Sequence, residues 1–78
     1  MTIQILGMGC PNCQKLEANA REAVSRLGLE AEIVKVDDSD AIAEMGVMMT
    51  PAIAVDGVVK KMGRVLTVDQ IVELLGVV

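Results

Sequence analysis

The chain of 78 residues contains no histidine and no aromatic residue. Without an imidazole it cannot form a Ser-His-Asp triad, a histidine-ligated metal site or a histidine-bound haem. Without aromatic rings it cannot stack nucleic-acid bases on its side chains. These absences exclude several common catalytic and nucleic-acid-binding arrangements.

Positive charge is also scarce, and it is dispersed along the chain. Seven Lys and Arg residues stand against eleven Asp and Glu residues, giving a formal net charge of −4. No basic stripe follows a phosphate backbone, so we expect no nucleic-acid partner. No uncharged stretch of the sequence, residues 45–55 included, reaches the roughly 20 residues of a membrane span. The N-terminus lacks the basic segment of a signal peptide, so we expect a cytoplasmic protein without membrane association.

The composition and length predict one globular domain over residues 1–78, because 53% of the residues are hydrophobic and 23% are charged. Hydrophobic periodicity, caps and turn residues predict seven elements in the order βαβαββα. They are a strand over Thr2–Leu6, a helix from Pro11 to Gly28, a strand over Ala31–Val36, a short helix between Asp37 and Gly46, strands over Ala52–Val55 and Val58–Met62 joined by Asp56–Gly57, and a final helix beginning near Thr67. A long helix joins the first two strands, which should therefore be parallel.

Both cysteines lie in the motif Cys10-Pro11-Asn12-Cys13. Proline is favoured in the first turn of a helix, so we expect Cys10 at the N-cap and Cys13 within the first turn. The helix N-terminus favours the Cys10 thiolate, and a second thiol three residues away can displace a mixed disulfide. The motif predicts dithiol chemistry with Cys10 as nucleophile, Cys13 as resolving thiol, and Pro11 and Asn12 in support.

Two other interpretations of the cysteine motif exist. A passive disulfide would stabilise the fold by only about 2 kcal/mol, because the loop it closes is very short. Met8-Gly9-Cys10-Pro11-Asn12-Cys13 also resembles the soft-metal loop of small copper-chaperone domains, whose thiolates and thioether suit Cu(I). Those domains have a βαββαβ order with a hairpin directly after the first helix, whereas residues 38–46 here predict a helix after the second strand. A Cu(I) chaperone is therefore the alternative function.

The remaining sulfur and carboxylate groups predict no metal site. Met45, Met48 and Met49 lie in apolar runs, and we expect them to fill gaps in a core that lacks aromatic rings. Met8 lies beside the cysteines, where it can line a surface that a partner touches. The acidic residues at 37–40 are expected to cap the second helix, not to bind a cation.

A second motif, Thr50-Pro51, directly precedes the predicted strand Ala52–Val55. Together with Cys-Pro-X-Cys at the start of the first helix, the Asp56–Gly57 hairpin and Gly63 before the final helix, it makes the chain resemble the thioredoxin and glutaredoxin superfamily. The resemblance is closest to the small archaeal and bacterial glutaredoxin-like redox-active disulfide proteins, and it extends over nearly the whole chain.

The resemblance implies a thioredoxin-like α/β fold with a four-stranded mixed sheet flanked by three helices. It also implies a redox-active Cys10–Cys13 disulfide without a further cofactor, and a cis Thr50–Pro51 bond with Pro51 facing that disulfide. The residues expected to contact substrate are Thr50, Pro51, Met8 and Gly63.

The predicted function is that of a monomeric, cytoplasmic thiol-disulfide oxidoreductase. It would reduce disulfides in substrate proteins with electrons from a thioredoxin-reductase-type donor. Gly9 replaces the tryptophan that typical thioredoxins carry before the motif. The Gly-Gly and Asp features with which glutaredoxins hold glutathione are not recognisable around residues 62–64, so glutathione is not the expected dedicated reductant.

Overall fold

Four strands and three helices form the fold in the computed structural model, which describes residues 1–9 and 11–76. The order βαβαββα and the mixed sheet confirm the predicted fold class. The second strand begins one residue later than predicted, at Glu32. The elements are β1 (Thr2–Leu6), α1 (Pro11–Leu27), β2 (Glu32–Val36), α2 (Ser39–Glu44), β3 (Ala52–Val55), β4 (Val58–Met62) and α3 (Val68–Gly76).

The strands are arranged in the order β2-β1-β3-β4. β1 is parallel to β2 and antiparallel to β3, so Leu6 at its end lies between Val36 and Ala52. β3 and β4 form the predicted hairpin, in which Asp56 and Gly57 have φ of 51° and 86° as a type I′ turn requires. The register therefore places the C-terminal ends of β1 and β2 and the N-terminal end of β3 side by side.

The two faces of the sheet carry separate apolar clusters, because successive strand residues point to opposite faces. The first face, covered by α1 and α3, contains the larger cluster: Ile3, Ile5, Leu16, Ala20, Ala23, Ile53, Leu66 and Ile71. The second face, covered by α2, contains Leu6, Ile42, Val47, Ala52 and Ala54.

The helix ends follow from local hydrogen bonding and backbone conformation. Gly28 has φ of 63° directly after α1, a left-handed conformation that glycine adopts without steric cost. The Asp38 carboxylate caps α2 by accepting from the Asp40 N–H at 2.9 Å. Thr67 and Gln70 form a capping box at α3, with bonds of 2.9 and 3.2 Å. Within the described residues, no helix has both the length and the apolarity that a membrane crossing requires.

The prediction that Met48 and Met49 fill the core is wrong. These side chains are 92% and 62% exposed, whereas Val47 beside them is 6% exposed. They lie in an irregular segment after α2, where no helical or strand period alternates residues between core and solvent. Ile42 and Val47 already cover the small side chains of β3 on this face, so the two methionines remain outside. Met45 is half-buried and packs against the same cluster, as predicted.

Candidate functional site

The loop between β1 and α1 carries the first cysteine of the motif. Cys10 lies outside the described residues, so its predicted role as nucleophile stays a prediction. Met8 is 63% exposed in this loop. Gly9 has φ of 82°, and its carbonyl oxygen accepts a hydrogen bond from Gln14 Nε2 at 3.4 Å. The loop therefore reaches α1 through a residue whose conformation favours glycine.

The first turn of α1 carries the rest of the motif. The helix begins at Pro11, as the sequence predicts, and both Pro11 and Asn12 are exposed. Cys13 faces inward and is 6% exposed. The first backbone N–H groups of a helix lack intrahelical partners, and this end carries the positive pole of the helix dipole. The start of α1 is therefore a group of N–H donors that favours an anion.

Gly7 allows Cys13 to approach the sheet. A Cβ atom at Gly7 would overlap the Cys13 sulfur and would lie 3.1 Å from the Cys13 Cβ. The same Cβ would lie 4.0 Å from the Pro51 Cα. The Gly7 N–H donates to the Val36 carbonyl at 2.9 Å, which extends the ladder between β1 and β2 by one residue. Cys13 and Pro51 therefore meet across a position that has no room for a side chain.

The segment before β3 forms the other side of this site. The Thr50–Pro51 bond is cis, the conformation that the resemblance implies. Pro51 is buried, and its carbonyl accepts a hydrogen bond from the Gly63 N–H at 2.9 Å. Thr50 is exposed, and its backbone makes no hydrogen bond with another described residue. Of the predicted site residues, Cys13, Pro51 and Gly63 are brought together, with Thr50 at their edge.

Exposed methionines flank the site: the sequence predicts Met8 there, but not Met48 and Met49. Met49 packs over Gly63, because a Cβ at Gly63 would lie 3.3 Å from both the Cβ and the Cε of Met49. Met48 is the most exposed of the large apolar side chains, and Met8 lies on the loop before α1. Thioethers are flexible and polarizable, so this border can adapt to different apolar partners.

A pocket of about 100 Å³ adjoins Cys13 on the side of β2. Its other lining residues are Ile5, Gly7, Gly9, Gln14, Glu17, Lys35 and Asp37. Glu17 lies one helical turn after Cys13 and is 15% exposed. It forms ion pairs with Arg21 at 2.9 Å and with Lys35 at 3.2 Å. The pocket thus places a paired carboxylate near the buried cysteine.

The Glu17 carboxyl group is affected by two opposed influences. Desolvation acts to raise its pKa, but the hydrogen bonds and charges of Arg21 and Lys35 outweigh it and lower the pKa from 4.5. The carboxylate is therefore ionised at neutral pH. The sequence predicts the Glu17–Arg21 pair from its i,i+4 spacing but not the contact with Lys35. The same spacing between Cys13 and Glu17 was the available signal that Glu17 lies beside the site.

The carboxylates near the site do not form a metal cluster. In the part of the chain that the structure describes, no three His, Cys, Asp or Glu side chains lie close enough together to hold an ion. The chemistry available to the described residues is therefore that of a buried sulfur, a nearby ion pair and an exposed backbone segment.

The comparisons with known proteins agree on one family. A family model described as a thioredoxin domain matches residues 1–76. A protein named thioredoxin from Methanothermobacter thermautotrophicus is 52% identical over 75 residues, which cover 96% of this chain and 97% of that protein. A protein named thioredoxin from Methanocaldococcus jannaschii is 44% identical over 75 residues, which cover 96% of this chain and 86% of that protein.

Proposed function

The chain belongs to the thioredoxin domain family and is a thiol-disulfide oxidoreductase, and we propose that Cys10 and Cys13 carry out its reaction. The observation that best supports this assignment is the close approach of Cys13 and Pro51 across Gly7, at the start of the helix that follows Cys10. We propose that residues 1–78 form a single domain.

The reaction needs only the two thiols of the motif. The Cys10 thiolate attacks one sulfur of a substrate disulfide, and the other substrate sulfur leaves as a thiolate that takes up a proton. Cys13 then loses its proton and attacks the Cys10 sulfur, forming the Cys10–Cys13 disulfide and releasing the second substrate thiol. Two electrons pass from the protein to the substrate, so no further cofactor is required.

The difference in burial supports separate roles for the two cysteines. Cys13 is 6% exposed, so a large substrate cannot easily reach it. Cys10 precedes the helix N-terminus, where N–H donors and the helix dipole favour a thiolate. Pro11 and Asn12 are exposed and lie where a bound partner would cover them. We therefore assign the first attack to Cys10 and the resolving attack to Cys13.

Substrate docking is assigned to Thr50, Pro51, Met8 and Gly63. The Thr50 backbone makes no hydrogen bond with another described residue, so it can pair with an extended substrate segment by β-augmentation. The bond from the Gly63 N–H to the Pro51 carbonyl holds the neighbouring turn against this segment. Met8 supplies exposed apolar surface on the loop before α1.

The proposed partners follow from this chemistry. Disulfide-containing proteins are the acceptors, and a thioredoxin-reductase-type enzyme in the cytoplasm supplies the electrons to a monomeric protein. Glutathione is not proposed as the dedicated reductant. A redox titration of the Cys10–Cys13 couple, combined with turnover assays using either a thioredoxin reductase or glutathione, tests these assignments. Faster turnover with glutathione would overturn the choice of donor.

Trapping variants test the roles of the cysteines. Cys13→Ser should accumulate mixed disulfides through Cys10, because the resolving thiol is missing, whereas the matched Cys10→Ser variant should trap few. Non-reducing electrophoresis followed by mass spectrometry measures both. Equal trapping by the two variants would contradict the assignment. Absence of trapping, together with Cu(I) binding far tighter than that of a dithiol peptide, would favour a metal chaperone instead.

A further inference from the structure

A groove of about 440 Å³ runs between β4 and α3 and is not used by the proposed chemistry. Its position follows from the register, because Lys61 is paired with Ile53, whose side chain lies in the cluster under α1 and α3. The lining residues are Lys61, Arg64, Leu66, Gln70, Glu73 and Leu74.

The groove carries positive charge on a chain whose net charge is −4. Arg21, Arg26 and Lys35 form ion pairs with neighbouring carboxylates, as with Arg26, which pairs with Glu22 at 3.5 Å and with Asp69 at 3.1 Å. Lys61 and Arg64 form no ion pair with any described residue, and unlike Lys15 and Lys60, which also form none, they line the groove. Their charges are therefore available to an anionic ligand on the β4 side of the groove.

The groove begins next to the candidate active site. Arg64 directly follows Gly63, whose N–H is bonded to the Pro51 carbonyl at 2.9 Å. Among the described strands, β4 is the last of the sheet and pairs only with β3, so its other edge is open to a partner. A protein that presents a disulfide near Pro51 would therefore extend its adjacent residues over Arg64 and into the groove.

We propose that this groove binds an acidic, extended segment of the protein partner whose disulfide is exchanged, a proposal that rests on the proposed function. Acidic side chains of the segment pair with Lys61 and Arg64, and an apolar side chain covers Leu66 and Leu74. Glu73 on the α3 side repels anionic groups and keeps the acidic side chains next to β4. Charge complementarity favours this occupant, since the rest of the chain repels acidic peptides.

Two synthetic peptides test the proposal with the full chain. Both carry one cysteine as a mixed disulfide with thionitrobenzoate, and they differ only in flanking residues: Glu and Leu in one, Gln and Leu in the other. The protein dithiol reduces this bond to the peptide thiol and thionitrobenzoate thiolate, while Cys10 and Cys13 become a disulfide. The released thiolate is followed by its absorbance. We expect the second-order rate constant of this single turnover to be about tenfold higher for the acidic peptide at low salt, and the preference to vanish at high salt.

The Lys61→Gln/Arg64→Gln double variant should lose this preference or reverse it, because its net charge falls to −6 from −4. Lys15→Gln/Lys60→Gln is the matched control, since it also lowers the net charge to −6 but at residues that do not line the groove. The control should retain the preference. A preference that survives in the double variant, or disappears equally in the control, would overturn the groove assignment.

Binding without chemistry provides a second measurement. The acidic peptide with Ser in place of Cys should shift the amide resonances of Arg64, Leu66 and Gln70 in the native protein but not in the double variant. Shifts confined to other residues, or the same shifts produced by self-association of the protein alone, would contradict a peptide-binding groove. Equal reduction of both peptides would overturn the groove proposal only, whereas failure to reduce either peptide would overturn the proposed function.

Discussion

The two faces of the sheet differ in the size of the helical layer that covers them and in the part of the candidate site that this layer holds. The first face is covered by the 17-residue α1 and the nine-residue α3 around eight buried side chains, whereas the second is covered by the six-residue α2 around five. Cys13 belongs to α1, but residues 48–51 follow α2 and lead into the site from the thinner side. The comparison indicates that Cys13, the proposed resolving thiol, is held by the well-packed half, and that residues 48–51, the proposed docking segment, are held by the weakly packed half.

This difference agrees with the roles proposed for the two halves. A resolving thiol must meet one sulfur repeatedly in the same geometry, which a large buried cluster favours. A docking segment must accept various partners, and segments that open locally have few buried contacts. Variants on each face measure how unequally the two halves contribute to stability and to disulfide reduction.

Truncating one core side chain on each face compares them directly. Leu16→Ala should lower the free energy of unfolding by about 4 kcal/mol, and Ile42→Ala by about 2 kcal/mol, because the thin layer under α2 can relax into the space. Leu16 is 0% and Ile42 is 5% exposed, so both sites are buried. Urea titration followed by circular dichroism measures both, since the chain has no aromatic fluorophore. Equal losses would show that the faces are equivalent.

A substitution at Gly7 tests how closely Cys13 of α1 packs against the end of β1. Gly7→Ala should lower the free energy of unfolding by about 2 kcal/mol and slow disulfide reduction, because the added Cβ overlaps the Cys13 sulfur. Gly76→Ala is the control, since its Cβ would make an ordinary 3.4 Å contact with Leu27 and suits a helix. The same urea titration and a reduction assay apply. A fully active Gly7→Ala variant would contradict the close approach of Cys13.

Substitutions at Gln4 test the stability of the second face. The Gln4 Oε1 atom is buried without a hydrogen-bond partner among the described residues. Gln4→Leu should raise the free energy of unfolding by about 1 kcal/mol, since it removes an unsatisfied polar atom. Gln4→Glu should instead lower it, because a charge replaces the amide. Urea titration of both variants measures the difference. Destabilisation by leucine would indicate that the amide is hydrogen-bonded in solution.

The smallest effect is expected at the ion pair on the border of the first face. Because Lys35 and Arg21 lower the Glu17 pKa below 4.5, the pair contributes stability above pH 4.5 that is lost as the pH falls through the lowered pKa. Glu17→Gln should therefore be less stable than the native protein by under about 1 kcal/mol at neutral pH, and the difference should disappear in acid. Glu22→Gln, at a more exposed carboxylate, is the control. A difference independent of pH would exclude the electrostatic explanation.

Local patterns predicted the elements well. Hydrophobic periodicity identified α1, whose buried residues include Leu16, Ala20 and Ala23, and Asp56–Gly57 identified the hairpin. These signals act between residues close in sequence, so no knowledge of the packed structure is needed to interpret them. The location of Met48 and Met49 was predicted wrongly, because apolar character alone does not show which side chains an irregular segment buries.

The sequence by itself determined the element order, the caps and the candidate cysteine motif, because each depends on neighbouring residues and backbone preferences. Only the tertiary structure decided that Gly7 lies between Cys13 and Pro51, and that Lys35 reaches Glu17. These contacts join residues distant in the chain, and they depend on how the helices pack across the sheet. A hydrophobic pattern specifies which face is buried, but it does not specify the partner that each side chain meets there.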